Sequence, residues 1–145
     1  MPRRRQKSAE KTKPVRTVRD LIQEAKRKTR QIPCEEAAHL MEDAEKAPVL
    51  IDVREEFEYE TVRLGGSIHI ARGVLEMMVE HEYPDRNTSM LIYCGRGDRS
   101  ALAALTLKKL GYRHVASIEG GLHAWREKGL PVVIPVQQRG PGSGI

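Results

Sequence analysis

Ser89-Met90-Leu91-Ile92-Tyr93-Cys94-Gly95-Arg96-Gly97-Asp98-Arg99-Ser100 is the stretch that decides how this chain folds. A short apolar run ends in a cysteine, and two glycines and two arginines follow at once. Residues 101–110 then carry apolar side chains at helical spacing. A thiol is thus set at the end of a strand, in a tight loop, facing a helix N-terminus. Such surroundings stabilise a thiolate and bind anions.

Working outward from this stretch, strands and helices alternate. Strands are expected at 49–53, 67–70, 90–93 and 114–118. Helices are expected at 35–45, 55–61, 74–81, 101–110 and 122–128. The last two end at Gly111 and Gly129, with Pro131 just beyond. The strand segments are apolar on both faces, which requires a parallel sheet covered on both sides. The expected fold class is therefore α/β, with about five parallel strands flanked by helices in a single domain. Ligands of such sheets sit at the carboxyl ends of the strands, where Cys94 stands.

Charge divides the chain unevenly. Residues 1–30 hold 12 Lys or Arg against 3 Asp or Glu, and the remainder holds 13 against 17. The high isoelectric point thus describes a basic N-terminal arm and not the body. Residues 1–16 lack any period and are expected to be disordered. Thr17 and Asp20 have the spacing of a helix start, and Val18, Leu21, Ile22 and Ala25 continue a helical stripe over 18–30. The domain is expected over 31–136, with a loose tail at 137–145. The arm reads first as a solvated, flexible tail that aids solubility, and second as a docking segment for an acidic acceptor protein. It has no aromatic residue for base stacking, so nucleic acid is not an expected partner. No apolar run reaches the roughly 20 residues of a membrane span. Two cysteines, Cys34 and Cys94, are too few for a disulfide framework and point to a reducing, cytoplasmic setting. The five histidines show no zinc-ligand spacing, and neither metal nor cofactor is expected.

Four features of the Cys94 loop favour its thiolate. The N–H groups of residues 95–99 can converge on the sulfur, with Gly95 and Gly97 allowing the curl. The following helix points its positive end at the loop. Arg96 and Arg99 outweigh Asp98, and Ser100 can cap the helix or donate to a bound anion. A structural cysteine would need none of this. The same ingredients describe the tyrosine phosphatases, but their loop has five residues between Cys and Arg. Only four separate Cys94 from Arg99, which suits a smaller guest, such as one extra sulfur atom.

The chain resembles the rhodanese-like domain family. Cys94, Gly97, Arg99 and Ser100 match its Cys-x-x-Gly-x-Arg-Ser pattern. Asp52-Val53-Arg54-Glu55 matches its Asp-Val-Arg-Glu. Gly120, Gly121, Trp125, Gly129 and Pro131 match its Gly-Gly-x-x-x-Trp…Gly-x-Pro. Arg63 stands where relatives often carry a histidine. The resemblance covers about 31–134 and implies a sulfurtransferase. Cys94 would take sulfane sulfur from a small sulfur-containing anion, thiosulfate, whose sulfonate end Arg96 and Arg99 would attract, or from a persulfide. It would then pass that sulfur to a thiol or to cyanide. The charged loop favours those donors over mercaptopyruvate. Asp52 is expected to cap the helix at 55, and Arg54 to brace Glu55, Glu119 or a neighbouring loop. Cys34 is expected to be a small residue in a first helical turn or a resolving thiol for Cys94. A non-catalytic binding module and a phosphatase or arsenate reductase are the alternatives.

Overall fold

The computed structural model describes residues 15–136. The expectations of disorder over 1–16 and of a loose tail over 137–145 fall outside the described residues except at 15 and 16, where Arg16 pairs with Glu24 at 2.6 Å. Five parallel strands form one sheet: β1 (Arg30–Ile32), β2 (Val49–Asp52), β3 (Ile68–His69), β4 (Ser89–Tyr93) and β5 (His114–Ile118), in the order β1-β5-β4-β2-β3. Six α-helices accompany them: α1 (Val18–Lys28), α2 (Cys34–Leu40), α3 (Glu56–Thr61), α4 (Leu75–Glu82), α5 (Asp98–Lys109) and α6 (Gly121–Glu127).

β4 is central, and its alternate residues face opposite cores. Leu91 and Tyr93 join Ile32, Cys34, Ala37, Leu122 and Trp125 on the face covered by α2 and α6. Met90, Ile92 and Cys94 join Leu75, Val79, Ala103 and Leu107 on the face covered by α4 and α5. Each fully buried Leu or Ile of this kind is worth roughly 1.5–3 kcal/mol. Together they fix the register that brings β4 to its end at Tyr93.

Three expected elements differ. β1 was not anticipated: the helix expected over 18–30 includes Arg30 but stops at Lys28, and Arg30-Gln31-Ile32 is short and two-thirds polar. It forms because β5 offers a free edge, with Arg30 opposite Ala116 and Ile32 opposite Ile118. The helix expected over 35–45 stops at Leu40. Asp43 turns the chain there, its carboxylate accepting from the Glu45 amide at 3.0 Å and its carbonyl from the Ala47 amide at 2.8 Å. α5 starts three residues earlier than expected, so Asp98, Arg99 and Ser100 form its first turn.

α1 is capped as its sequence implied. The Thr17 hydroxyl accepts from the Asp20 amide at 3.1 Å and the Asp20 carboxylate from the Thr17 amide at 2.9 Å. It lies against α5, burying Ala25. The Lys108 ammonium donates to the Lys28 carbonyl at 2.6 Å and pins its last turn. No helix among the described residues is long and apolar enough to cross a membrane.

Candidate active site

Cys94 follows β4 directly, and its sulfur is met by donors. The amides of Gly97 and Ser100 point at Sγ from 3.1 and 3.3 Å. Of the amides of residues 95–99, that of Gly97 reaches the sulfur within hydrogen-bonding distance; Ser100 supplies the second. The Ser100 hydroxyl lies 3.4 Å from Sγ and 2.8 Å from the Ser117 hydroxyl. A thiol at Cys94 donates to Ser100. A thiolate reverses the chain, with Ser117 donating to Ser100 and Ser100 to sulfur. Both serines are fully buried.

The curl depends on two glycines. Gly97 has φ +95°, the left-handed region that side chains avoid, and an added Cβ would meet the Gly120 amide nitrogen at 3.0 Å. Gly121, at φ +56°, is tighter still. A Cβ there would lie 2.3 Å from the Cys94 carbonyl oxygen. This closeness lets the first amides of α6 reach the loop: Leu122 N–H donates to the Cys94 carbonyl and His123 N–H to the Gly95 carbonyl, both at 2.9 Å. Gly95 itself is not left-handed, so its conformational freedom is not what the loop uses.

The loop opens on a cleft of about 490 Å³ lined by Arg96, Arg99, His123, Arg126, Glu58 and Asp98 beside Cys94. Three of the charges, those of Arg99, Glu58 and Asp98, are already engaged. Arg99 makes a bidentate pair with Glu58 at 2.8 and 3.1 Å. Glu58 also accepts from the Glu55 amide at 2.9 Å, so its carboxylate is held from both sides. The Arg99 hydrogen bond holds the Glu58 carboxyl below its usual range, and the same bond raises Arg99. Asp98 pairs with Lys26 of α1 at 3.1 Å. Among the described residues, Arg96 and Arg126 have no carboxylate partner. The cleft therefore keeps two uncommitted cations for an anionic guest.

Asp52 and Arg54 stand behind this cleft and do not line it. Asp52 does not cap α3, whose cap position is Glu55. It is fully buried and accepts from the Arg54 amide at 2.9 Å and from the Arg54 guanidinium at 2.7–3.1 Å. Arg54 donates onward to the Val62 carbonyl at 2.6 Å, so its partners are Asp52 and the end of α3 and not the expected Glu55 or Glu119. The pair ties the exit of β2 to the end of α3, the helix that carries Glu58. Tyr93 points away from Cys94; its hydroxyl accepts from the Leu64 amide at 3.1 Å, and burial pushes its pKa up. Cys34 lies on the opposite face of the sheet from Cys94.

The family model for the rhodanese-like domain matches residues 34–128. The chain belongs to the rhodanese-like domain family. Its relatives include a sulfurtransferase of Allochromatium vinosum, 29% identical over 105 residues, which are 72% of this chain and 95% of that protein. The adenylyltransferase and sulfurtransferase uba4 of Ogataea parapolymorpha is 37% identical over 82 residues, 57% of this chain and 21% of that protein. The putative sulfur carrier protein YrkF of Bacillus subtilis is 34% identical over 86 residues, 59% of this chain and 45% of that protein. The chain thus spans less than half the length of these last two.

Among solved structures, the thiosulfate sulfurtransferase of Pseudomonas aeruginosa superposes with a TM-score of 0.72 at 27% identity, over 84% of this chain and 23% of that one. A Rhodopseudomonas palustris protein of unknown function, described as a possible tyrosine phosphatase, superposes with a TM-score of 0.73 at 29% identity, over 84% and 98%. The rhodanese-like architecture accounts for the five-stranded parallel sheet, and sulfurtransferases and sulfur carriers are the general company this chain keeps.

Sequence reading missed Glu58, Ser117, His123 and Arg126. The first had a usable signal. The exits of adjacent parallel strands share one end of the sheet, so a carboxylate just after β2 had to lie near the loop after β4.

Proposed function

We propose that this rhodanese-like domain is a sulfurtransferase that carries sulfane sulfur as a persulfide on Cys94. The observation supporting this reading is the pair of backbone N–H groups aimed at Cys94 Sγ beside a cleft with two uncommitted arginines. In the first step the thiolate attacks the outer sulfur of thiosulfate. A new S–S bond forms to Cys94, the S–S bond of thiosulfate breaks, and sulfite leaves with the electron pair. In the second step a thiolate or cyanide attacks the outer persulfide sulfur, and Cys94 leaves as the thiolate. No metal or cofactor is needed, and the cycle is covalent and ping-pong.

The residues divide the work. Gly97, Ser100 and Ser117 hold negative charge on sulfur through N–H and O–H donors. Arg96 and Arg126 attract the sulfonate end of the donor. Arg99, shared with Glu58, shapes the wall beside the sulfur. Asp52 and Arg54 are positioning residues that hold α3. A persulfide-bearing protein or small molecule serves the same first step as thiosulfate. An acidic acceptor protein would meet the basic residues 1–30, in a cytoplasmic setting.

Intact mass after incubation with thiosulfate tests this directly. The expected result is a gain of about 32 Da, one sulfur atom, which cyanide removes and which a Cys94→Ser chain lacks. No gain with thiosulfate, mercaptopyruvate or polysulfide would transfer the cleft to a non-catalytic binding role. The phosphatase reading has the Rhodopseudomonas neighbour in its favour and the four-residue spacing from Cys94 to Arg99 against it. Hydrolysis of a small aryl phosphate as fast as sulfur transfer would reverse that balance.

A further inference from the structure

At the opposite end of the sheet, where β1, β4 and β5 begin, lies a larger hollow of about 650 Å³. Its wall carries Lys28, Arg30, Lys46, Lys108, Arg113 and His114, with no Asp or Glu. Lys28 and Arg30 belong to the basic first thirty residues, but Lys46, Lys108, Arg113 and His114 come from a stretch in which acidic residues outnumber Lys and Arg, 17 to 13.

Counter-ions are few. Lys28 and Arg30 pair with Glu24 and Glu36, which do not line the hollow. Among the described residues, Lys46, Lys108 and Arg113 have no carboxylate partner. Two of these three are nonetheless held in place. Lys108 donates to the Lys28 carbonyl at 2.6 Å, and Arg113 donates to the Asn87 side-chain oxygen at 3.2 Å. Helix C-termini favour cations, which accounts for Lys28 and Lys108. Lys46, Arg113 and His114 lie outside the helices and need another reason.

Cations gathered around one concavity repel each other, and an anion placed between them removes that cost. The volume falls within the roughly 300–1,000 Å³ of small-molecule sites. Lysine and arginine together suit phosphate oxygens, while Leu40 and Pro48 give part of the wall an apolar surface. We propose that this hollow is a second site, separate from the Cys94 cleft, that binds a small organic polyphosphate of nucleotide size. The inference is independent of sulfur transfer.

Isothermal titration of the full chain with ATP as the probe tests it. One ATP bound per chain is expected. A Lys46→Met/Arg113→Met double variant should weaken binding at least about tenfold, since it removes two uncompensated charges. Both side chains are exposed, and unchanged circular dichroism would confirm the fold. Arg96→Met should leave ATP binding as it was. Three results would overturn the proposal: no saturation below about 5 mM, an affinity too weak for a built site; equal loss in Arg96→Met, which would move binding to the catalytic cleft; or binding only of single-stranded RNA, rising with its length, which would make the hollow part of a nucleic-acid surface.

Discussion

Cys34 and Cys94 are both buried, at 0% and 1% exposure, and both sit beside the start of a helix. What differs is the direction of the dipoles around them. Cys94 Sγ is faced by N–H groups of Gly97 and Ser100. Cys34 Sγ faces a carbonyl, that of Glu119 at 3.7 Å, and burial raises its pKa against the opposing charge of Lys128. Burial and a helix start do not by themselves make a nucleophile. The surroundings of Cys94 offer its sulfur N–H donors, and those of Cys34 offer its sulfur an acceptor.

Replacing each cysteine in turn gives the largest contrast. Cys94→Ser should lower sulfur-transfer turnover by about 10³-fold or more, as expected for loss of a covalent nucleophile. Cys34→Ala should leave turnover within about twofold and cost about 1–2 kcal/mol of stability for the emptied space, read by urea unfolding. A comparable loss of turnover in Cys34→Ala would make it a resolving thiol and erase the distinction.

The next largest effect should come from Gly121→Ala, which leaves both cysteines in place. Its Cβ would collide with the Cys94 and Gly95 backbone, and the loop must shift. A stability loss of about 3 kcal/mol is expected from overpacking and backbone strain. The rate of persulfide formation should fall with it, in thermal unfolding and single-turnover experiments on the same sample. Wild-type kinetics in this variant would show that the donors around Cys94 can be displaced without consequence.

A smaller effect concerns Glu58 and Arg99. The folded-state pKa of Glu58 is depressed by Arg99. The pair therefore adds stability above the unfolded-state value of about 4.3 and loses it as pH falls through the lower folded value. Both side chains are partly exposed, so the contribution stays under about 1 kcal/mol. Melting temperature should be level from neutral pH down to about 5 and drop below about 4, with the Glu58→Gln chain losing that component of the drop. The smallest effect is expected for Lys26→Met. Its pair with Asp98 is about half exposed on both sides, and removing it should change stability by less than about 0.5 kcal/mol. A large change in turnover there would make α1 part of the catalytic loop's support.

The loop itself was legible because its parts are consecutive: Cys94, Gly97, Arg99 and Ser100 lie within one turn of chain and the next helix. The sheet was legible from its four apolar strands. β1 was not, because Arg30-Gln31-Ile32 gains its strand character only from β5. Glu58, Ser117 and the α6 amides were hidden for a related reason. The strand order places β2 and β5 on either side of β4, and side chains 36 residues before and 23 after Cys94 meet around it. Asp52 was misread as a helix cap because its neighbour Arg54 competes for it inside the protein, where both are out of reach of water.

The hydrogen bonds from α6 to the loop bear on its motions. Leu122 and His123 hold the carbonyls of Cys94 and Gly95, so the loop cannot breathe without detaching the start of that helix. Deuterium should therefore enter the Gly97 and Ser100 amides in step with the first turn of α6, and much later than at an ordinary exposed turn. A substrate would then find the cradle already assembled, and docking would be limited by arrival and not by rearrangement.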